Sequence, residues 1–261
     1  MRNGPSDFKD VGILAAKRAG KILKDNFGKV KKVSLKGNQQ LVSNVDLEAE
    51  KAIIETISKN FPDHSIMSEE NSRLKKSEFR WIVDPLDGTH NFIKGIPIFG
   101  TSIALEYRKE VILGILLFPL SKRLYWAVKD KGAYLNGKKI YISSRPLPEA
   151  TCVYDSSIRL NARDMLPILG NLAAEVFNLR MFGSSVEHLA LVAEGKIDLD
   201  IEFNDKAWDF AAGALIVKEA GGEFTDFKGR AWSANMPNYV ASNGLIHQEV
   251  LGIIKNSLPK L

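Results

Sequence analysis

Five short apolar segments follow one another between residues 65 and 128, and this run constrains the fold more than any other feature. The segments are Ser65 to Ser68, Arg80 to Asp84, Thr101 to Leu105, Val111 to Phe118 and Leu124 to Val128. Short apolar runs bounded by turn residues are typical of strands, and Asn136-Gly137 after them is a two-residue hairpin signal. The first half of the chain therefore predicts a sheet with antiparallel pairing.

Two helices are predicted before these strands. Apolar residues repeat at helical spacing from Val11 to Leu23. Ser43 with Asp46 three residues later resembles a capping box for a second helix, which Pro62 ends. The basic stretch from Lys29 to Lys36, which includes Lys31 and Lys32, predicts a solvated loop or hairpin between the two helices.

Strands and helices alternate after the Arg145-Pro-Leu-Pro148 segment, which is the predicted domain boundary. The predicted elements are strands at Val153 to Ser156, Val176 to Met181, Ile197 to Ile201 and near Phe224 and Tyr239, and helices at Arg163 to Glu175, Ser184 to Glu194, Trp208 to Ala220 and Glu249 to Leu258. We therefore predict two subdomains, residues 1–145 and 146–261, in a mixed α and β fold whose sheets are covered by helices.

Composition excludes several classes of protein. With 45% apolar and 26% charged residues the chain is neither disordered nor collagen-like. Its single cysteine, Cys152, allows no internal disulfide, which favours a reducing compartment, and the longest apolar run, Val111 to Leu120, is too short to span a bilayer. The net charge of +5 suits anionic small molecules as well as nucleic acid. We expect a soluble cytoplasmic protein.

The segment Trp81-Ile-Val-Asp-Pro-Leu-Asp-Gly-Thr-His-Asn-Phe92 carries the most chemistry. An apolar strand leads into Asp84, and Asp87 follows where a helix would be capped. Two carboxylates at such a strand-to-helix turn can converge on one point, and Mg²⁺ prefers oxygen ligands of this kind. The helix start adds backbone N–H groups for an anion. These are the parts of a metal-assisted phosphatase; the alternative is that Asp84 ends a strand and Asp87 caps a helix.

Two other acidic positions accompany this segment. Glu69-Glu70 follows a predicted strand, and Asp209 lies at the start of a predicted helix. Alone, Glu69-Glu70 would be a solvated turn and Asp209 a carboxylate of a first helical turn. The histidines show no metal-ligand spacing; they are His64, His90, His188 and His247.

Together these segments resemble the inositol monophosphatase family of metal-dependent, lithium-sensitive phosphatases. The resemblance runs in order through nearly the whole chain and rests on Leu41 to Asp46, Glu69-Glu70, Trp81 to Phe92, Gly183-Ser184-Ser185, Glu202 and Trp208 to Gly222. It implies an α+β fold, the five-layered α-β-α-β-α sandwich of the sugar phosphatases, with most metal ligands in the N-terminal half. Homodimers are the usual assembly in the family.

The resemblance implies two or three Mg²⁺ ions. The first would be held by Glu69, Asp84 and the backbone carbonyl of Leu86. The second would be held by Asp84, Asp87 and Asp209. Glu69 is also expected to contact a third, weaker ion, and Li⁺ is expected to replace the second Mg²⁺.

The resemblance also implies which residues act on water and phosphate. Asp46 and Thr89 would orient and deprotonate the attacking water. The backbone N–H groups of Gly88 and Thr89 would bind the phosphate. No histidine or serine nucleophile is then needed.

A further set of residues is expected to bind the substrate: Arg180, Gly183, Ser184, Ser185 and Glu202. Glu202 lies seven residues before Asp209, so it is expected on the pocket wall, where a carboxylate can accept hydrogen bonds from hydroxyls. By resemblance it contacts inositol hydroxyls with Ser185 beside it; the alternative is a surface salt bridge to Lys206. The candidate contacts for a second phosphate are Arg159, Arg163, Arg180 and Lys206. The alternative for Arg180 is a structural ion pair.

The leading hypothesis is a Mg²⁺-dependent phosphomonoesterase that acts on a small phosphorylated polyol or sugar. Myo-inositol 1-phosphate comes first, with fructose-1,6-bisphosphate or a dual-substrate sugar phosphatase as the alternative. A role in the transcription machinery is a rival from another class, because some bacterial relatives bind it. The sequence contains no nucleic-acid recognition motif, so we expect no nucleic-acid partner and no membrane partner.

Overall fold

The computed structural model describes residues 5–29, 33–36, 40–233 and 236–258, so that Lys31 and Lys32 of the basic stretch lie outside the described residues. In the first half the elements are α1 (Pro5–Asn26), β1 (Val33–Lys36), β2 (Gln40–Ser43), α2 (Asn44–Asn60), β3 (Ser65–Ser68), β4 (Phe79–Asp87), α3 (Thr89–Ile93), β5 (Gly100–Tyr107), β6 (Glu110–Phe118), β7 (Arg123–Val128), β8 (Ala133–Leu135) and β9 (Lys138–Lys139). The two predicted helices and the run of strands are confirmed.

The second half alternates as predicted. Its elements are β10 (Thr151–Tyr154), α4 (Ala162–Glu175), β11 (Asn178–Arg180), α5 (Ser185–Ala193), β12 (Leu199–Glu202), α6 (Ala207–Glu219), β13 (Glu223–Thr225), β14 (Tyr239–Ser242) and α7 (His247–Ser257). The predicted bounds are shifted by one to three residues at most strand ends, which is the usual error where turn residues set the boundary.

Two local sequence signals explain where α2 begins and how β8 turns into β9. Ser43 caps α2 with Asp46 as its capping-box partner, as the sequence predicts. Asn136 and Gly137 have φ angles of 49° and 82° and connect β8 to β9. Two successive positive φ angles match the right-handed twist of a hairpin, and Asn-Gly adopts them with little strain.

The strands form a seven-stranded sheet in the order β3-β4-β5-β6-β7-β8-β9 and a five-stranded sheet in the order β11-β10-β12-β14-β13. Pairing in the first sheet is antiparallel, as predicted, except that β3 and β4 are parallel. The second sheet mixes both directions. The hairpin β1-β2 pairs separately.

Three apolar cores join these sheets and helices into five layers. The first core lies between helices α1 and α2 and the seven-stranded sheet. The second lies around α5 and α6, which are between the two sheets. The third joins the five-stranded sheet to α4 and α7. The predicted α-β-α-β-α sandwich is therefore the fold of this protein.

The middle helical layer is shared by both halves of the chain. The seven-stranded sheet precedes residue 145 and the five-stranded sheet follows it, yet α6 packs against both. The division into subdomains 1–145 and 146–261 stays a prediction. Within the described residues, no helix is long and apolar enough to cross a membrane.

Helix α6 lies unusually close to the seven-stranded sheet. A Cβ atom on Gly114 of β6 would lie 2.4 Å from the carbonyl oxygen of Ala212, so only glycine allows this approach. At the start of α6, the Ser102 hydroxyl of β5 donates to the carbonyl of Trp208 at 3.0 Å. These contacts fix the first turn of α6, and with it Asp209, over the carboxyl end of β4.

Candidate active site

A β-bulge in β4 brings Asp84 and Asp87 to one side of the sheet. Asp84 pairs with Ser102 and Asp87 with Gly100, so two residues separate the acids on β4 but only one separates their partners. In a regular strand, residues three apart point to opposite faces. The extra residue of the bulge reverses this and re-aims the second side chain. The turn predicted at Pro85 is therefore a bulge inside a longer strand.

Helix α3 starts one residue later than the sequence suggests. Gly88, rather than Asp87, is the residue before the helix, and its φ of 79° is left-handed. A Cβ atom at Gly88 would lie 2.8 Å from the carbonyl oxygen of Ile98. Both the left-handed φ and this close contact therefore require glycine at position 88. Because Gly88 is the cap residue, the Asp87 side chain does not cap the helix and can face Asp84.

Asp209 completes a group of three carboxylates. It is the third residue of α6, and its Oδ2 accepts from the Lys206 backbone N–H at 2.7 Å. One carboxylate oxygen from each of Asp84, Asp87 and Asp209 lies within 4.8 Å of the others. The Leu86 backbone N–H donates to Asp84 Oδ1 at 2.9 Å. Backbone groups therefore hold two of the three acids.

Each of these carboxylates disfavours the charged form of its neighbours. Burial, and then the charges of Glu69, Asp87 and Asp209, raise the pKa of Asp84 well above its usual range. Burial raises the pKa of Asp87 to about 6 and that of Asp209 to about 7. Within the described parts of the chain, neither Lys nor Arg forms an ion pair with any of the three.

This donor set fits a divalent cation. The converging groups are all oxygens, which Mg²⁺ prefers, and buried like charges are stabilised when a cation lies between them. Glu69 belongs to the same electrostatic group, because its charge raises the pKa of both Asp84 and Asp87.

Glu50 holds the loop that carries Glu69, and the sequence reasoning missed it. This side chain is 1% exposed on α2. Its carboxylate accepts hydrogen bonds from the backbone N–H groups of Glu70 and Asn71, at 3.0 and 2.9 Å, and from the side chains of Ser68 and Asn71. The only signal for it was its spacing of four residues from Asp46, which places both acids on one face of α2.

Asp46 and Thr89 meet, although they are 43 residues apart. The Thr89 hydroxyl lies 3.1 Å from Asp46 Oδ1 and 2.9 Å from the carbonyl oxygen of Leu86. Burial raises the pKa of Asp46, and hydrogen bonds from Ser43 and Thr89 oppose that shift. A carboxylate with a raised pKa that contacts a hydroxyl is a suitable proton acceptor.

The segment Gly183-Ser184-Ser185 lies against these acids. The Ser184 hydroxyl donates to Asp87 Oδ2 and caps α5 by accepting from the Glu187 N–H at 3.2 Å. Asn91 fixes the preceding loop, because its amide donates to the carbonyl of Phe182 at 2.7 Å. The amide of Asn91, which lies within the central motif, is a second contact that the sequence reasoning missed.

A cleft of about 230 Å³ extends from Asp87 and Asp209 along this segment. Its wall includes Ser185 and Glu202, together with two further acids, Asp155 and Asp205. Asp155 accepts from the hydroxyl and N–H of Ser157, both at 2.7 Å. Most of the charged side chains on the wall away from Asp87 and Asp209 are therefore acidic.

Glu202 is buried at 3% exposure and is not a surface salt-bridge residue. Its partner is His188, whose Nδ1 lies 2.6 Å from Glu202 Oε1 and 3.2 Å from Asp200 Oδ1. Burial lowers the pKa of His188, but the neighbouring Asp200 outweighs it and the pKa is raised. The spacing of the histidines did not point to His188, because its partners lie 12 and 14 residues away on another element.

Arg180 lies outside the cleft. It is exposed on β11, where its guanidinium donates to the Asn178 side chain and to the Leu179 carbonyl oxygen at 3.0 Å. Among the described residues that line the cleft, Lys206 is the one lysine, and there is no arginine. The structure therefore brings Gly183, Ser184, Ser185 and Glu202 together, but not Arg180.

Comparison with known proteins identifies the family of this chain. The model of the inositol monophosphatase family matches residues 5–258. The chain belongs to this family. It is 40% identical over 255 residues to the fructose-1,6-bisphosphatase/inositol-1-monophosphatase of Aquifex aeolicus, covering 95% of both chains. It is 37% identical to the inositol-1-monophosphatase of Mesorhizobium japonicum, covering 97% of this chain and 98% of the relative.

A third relative has a different name. The Nus factor SuhB of Pasteurella multocida is 34% identical, covering 95% of this chain and 96% of the relative. The solved extragenic suppressor protein SuhB of Bartonella henselae has a TM-score of 0.93 at 36% identity, covering 96% and 99% of the two chains. A solved IMPase/NADP phosphatase with Mg²⁺ and phosphate has a TM-score of 0.84 at 25% identity, covering 95% of each chain. The family match supports a phosphatase, and leaves the substrate open.

Proposed function

We propose that this protein is a Mg²⁺-dependent phosphomonoesterase that hydrolyses a small polyol phosphate, with myo-inositol 1-phosphate as the first candidate. The observation that carries the proposal is the cluster of Asp84, Asp87 and Asp209, two buried carboxylates and a half-buried one, whose oxygens converge within 4.8 Å. Such a cluster is costly to bury without a cation. The family match and the relatives named inositol-1-monophosphatase support it.

The residues that would hold Mg²⁺ are Glu69, Asp84, the Leu86 carbonyl, Asp87 and Asp209. When bound there, Mg²⁺ supplies a lowered pKa for a coordinated water and charge stabilisation for the leaving oxygen. The protein's own contribution is to fix these oxygens in advance, through the bulge in β4 and the first turn of α6. The number of ions, two or three, belongs to this proposal.

Asp46 and Thr89 are proposed to orient the attacking water and accept its proton. The Thr89 hydroxyl is 3.1 Å from Asp46 Oδ1, so a proton can pass from water through the hydroxyl to the carboxylate. The backbone N–H groups of Gly88 and Thr89 are proposed to bind the phosphate. These two N–H groups would act as hydrogen-bond donors. The helix dipole would contribute little, because α3 has only five residues.

The wall of the cleft favours a polyol over a second phosphate. Glu202, Asp155 and Asp205 would repel another phosphate, whereas carboxylates accept hydrogen bonds from hydroxyls. Of the four candidate contacts for a second phosphate, Lys206 lines the cleft, and the three arginines, Arg159, Arg163 and Arg180, do not. Fructose-1,6-bisphosphate remains the second candidate substrate, because the relative with 40% identity carries both enzyme names.

A phosphate-release screen with Mg²⁺ tests the proposal. We expect turnover of inositol 1-phosphate to exceed that of fructose-1,6-bisphosphate and of an adenosine bisphosphate, with activity lost in EDTA and inhibited by millimolar Li⁺. Full activity in EDTA would overturn the metal assignment. Salt-dependent RNA binding without phosphatase activity would favour a role like that named for the Nus factor relative instead. The homodimer and the cytoplasmic location stay predictions.

A further inference from the structure

His188 and Glu202 form a side-chain hydrogen bond at the wall of the cleft. Both side chains are buried, at 1% and 3% exposure, and Nδ1 lies 2.6 Å from Oε1. His188 belongs to α5 and Glu202 ends β12, so the contact joins two elements at the cleft wall. One oxygen of Glu202 is thereby occupied, and its carboxylate plane is fixed.

The contact made by Nε2, the second ring nitrogen of His188, indicates which of the two nitrogens carries the proton. The backbone N–H of Phe182 donates to Nε2 of His188 at 3.3 Å. A proton on Nε2 would face that donor, so the tautomer protonated only at Nε2 does not fit. Nδ1 therefore carries a hydrogen and donates it to Glu202.

The same argument weighs against a metal ion at this group, although one atom each of His188, Asp200 and Glu202 lies within 4.8 Å of the others. A metal bound at Nδ1 would move the imidazole proton to Nε2, where it would face the N–H of Phe182. The group is better explained as a hydrogen-bonded support for Glu202.

Asp200 lies behind this pair. It is fully buried and on the same face of β12 as Glu202, two residues away. Within the described residues, neither of its carboxylate oxygens has a hydrogen-bond partner. Its close approach to Nδ1, at 3.2 Å, favours a proton on that nitrogen, and without His188 two buried carboxylates would repel each other directly.

We propose that His188 is a positioning residue for substrate specificity, which holds Glu202 so that its second carboxylate oxygen faces the hydroxyls of the leaving group. This inference rests on the proposed function, because it assumes that Glu202 contacts a polyol. His188 itself touches neither the phosphate nor the reacting water. Its effect should therefore depend on the leaving group and not on the chemical step.

Three substitutions of His188 distinguish the position of its N–H donor from the size of its side chain. The amide of His188→Asn can place its N–H where Nδ1 lies, His188→Gln reaches the place of Nε2 instead, and His188→Leu has no donor. We expect Leu and Gln to lower kcat/KM for inositol 1-phosphate about 10-fold or more, as for loss of one charged hydrogen bond. Turnover of p-nitrophenyl phosphate, which has no hydroxyls on its leaving group, should stay within about 3-fold. Asn should restore most of the loss.

Two controls complete the design. His247 is another buried histidine, bonded to Thr225 and Ser242 at 2.8 Å; His247→Asn should change thermal stability without changing the ratio between the two substrates. The double variant His188→Leu/Glu202→Gln should be no worse on inositol 1-phosphate than Glu202→Gln alone, because His188 acts through Glu202.

A spectroscopic readout keeps the proposal distinct from the proposed function. In an ¹⁵N–¹H spectrum of the imidazoles, Nδ1–H of His188 should appear as a slowly exchanging proton that shifts in Glu202→Gln. If the wild-type protein hydrolyses neither substrate, the proposed function fails, and a missing Nδ1–H signal would overturn the positioning role separately. Equal losses on both substrates, or no rescue by Asn, would also overturn it.

Discussion

The two ends of the cleft are built by different means. At the end formed by Asp84, Asp87 and Asp209, which is the proposed metal end, the acids are placed mainly by backbone features: a bulge, a left-handed glycine and the N–H groups of Leu86 and Lys206. The Ser184 hydroxyl adds one side-chain contact, to Asp87. At the leaving-group wall, Glu202 is placed by another side chain, His188. A single substitution at His188 should therefore alter the wall, whereas several separate contacts support the three acids. Substrate preference should therefore vary more readily than chemistry among chains of this fold.

The largest expected effect is at the metal end. Asp87→Asn should lower kcat on every substrate by about 10³-fold or more, since it removes a preorganised charge. The amide oxygen can still accept from Ser184, so the fold should persist. Thermal unfolding should show a melting temperature in EDTA no lower than that of the wild type, together with a reduced rise on adding Mg²⁺. A loss confined to one substrate would mean that the two ends are not separate.

The next effect concerns the water. Thr89→Ala should lower kcat about 10²-fold, because it removes the hydroxyl between water and Asp46, and it should change KM much less. Thr89→Ser, which keeps the hydroxyl, is the matched control and should retain most activity. A rise in KM at unchanged kcat would show that Thr89 only binds phosphate.

The contrast between the two ends of the cleft also explains which site residues the sequence could predict. Asp84, Asp87 and Thr89 lie in one continuous motif, and strand and helix signals around it show where the segment turns. Helix and strand order predicted a mixed α and β fold with helices covering the sheets, and the five-layered arrangement was implied by the family resemblance. The bulge at Pro85 was not predicted, because strand patterning cannot show an extra residue without the partner strand. Glu50 and His188 were missed because their roles depend on tertiary contacts with residues 12 to 21 positions away.

A smaller effect should separate Glu69 from the loop that carries it. Glu50→Gln replaces an acceptor of several N–H bonds by an amide whose own N–H groups face them. We expect the Mg²⁺ concentration for half-maximal activity to rise about 10-fold, as for loss of a group supporting a metal ligand. Direct calorimetric titration of the metal-free protein should show the same loss of affinity. Glu55→Gln, on the exposed side of α2, is the control and should change neither value.

The smallest expected effect is at Arg180, and it tests whether the acidic wall is the whole of the leaving-group end. Arg180 is exposed on β11 and hydrogen-bonds to its own strand, so Arg180→Ala removes neither a charge from the cleft nor an ion pair of the described residues. We expect kcat/KM to change less than about 3-fold, as for a typical surface substitution, on inositol 1-phosphate and fructose-1,6-bisphosphate alike. Lys206→Ala removes the lysine of the cleft wall. Its kcat/KM on the same two substrates should be compared with that of Arg180→Ala. If Arg180→Ala instead lowers only the bisphosphate activity about 10-fold, a second phosphate reaches β11 and the substrate lies along a different wall from the one that Glu202 and His188 form.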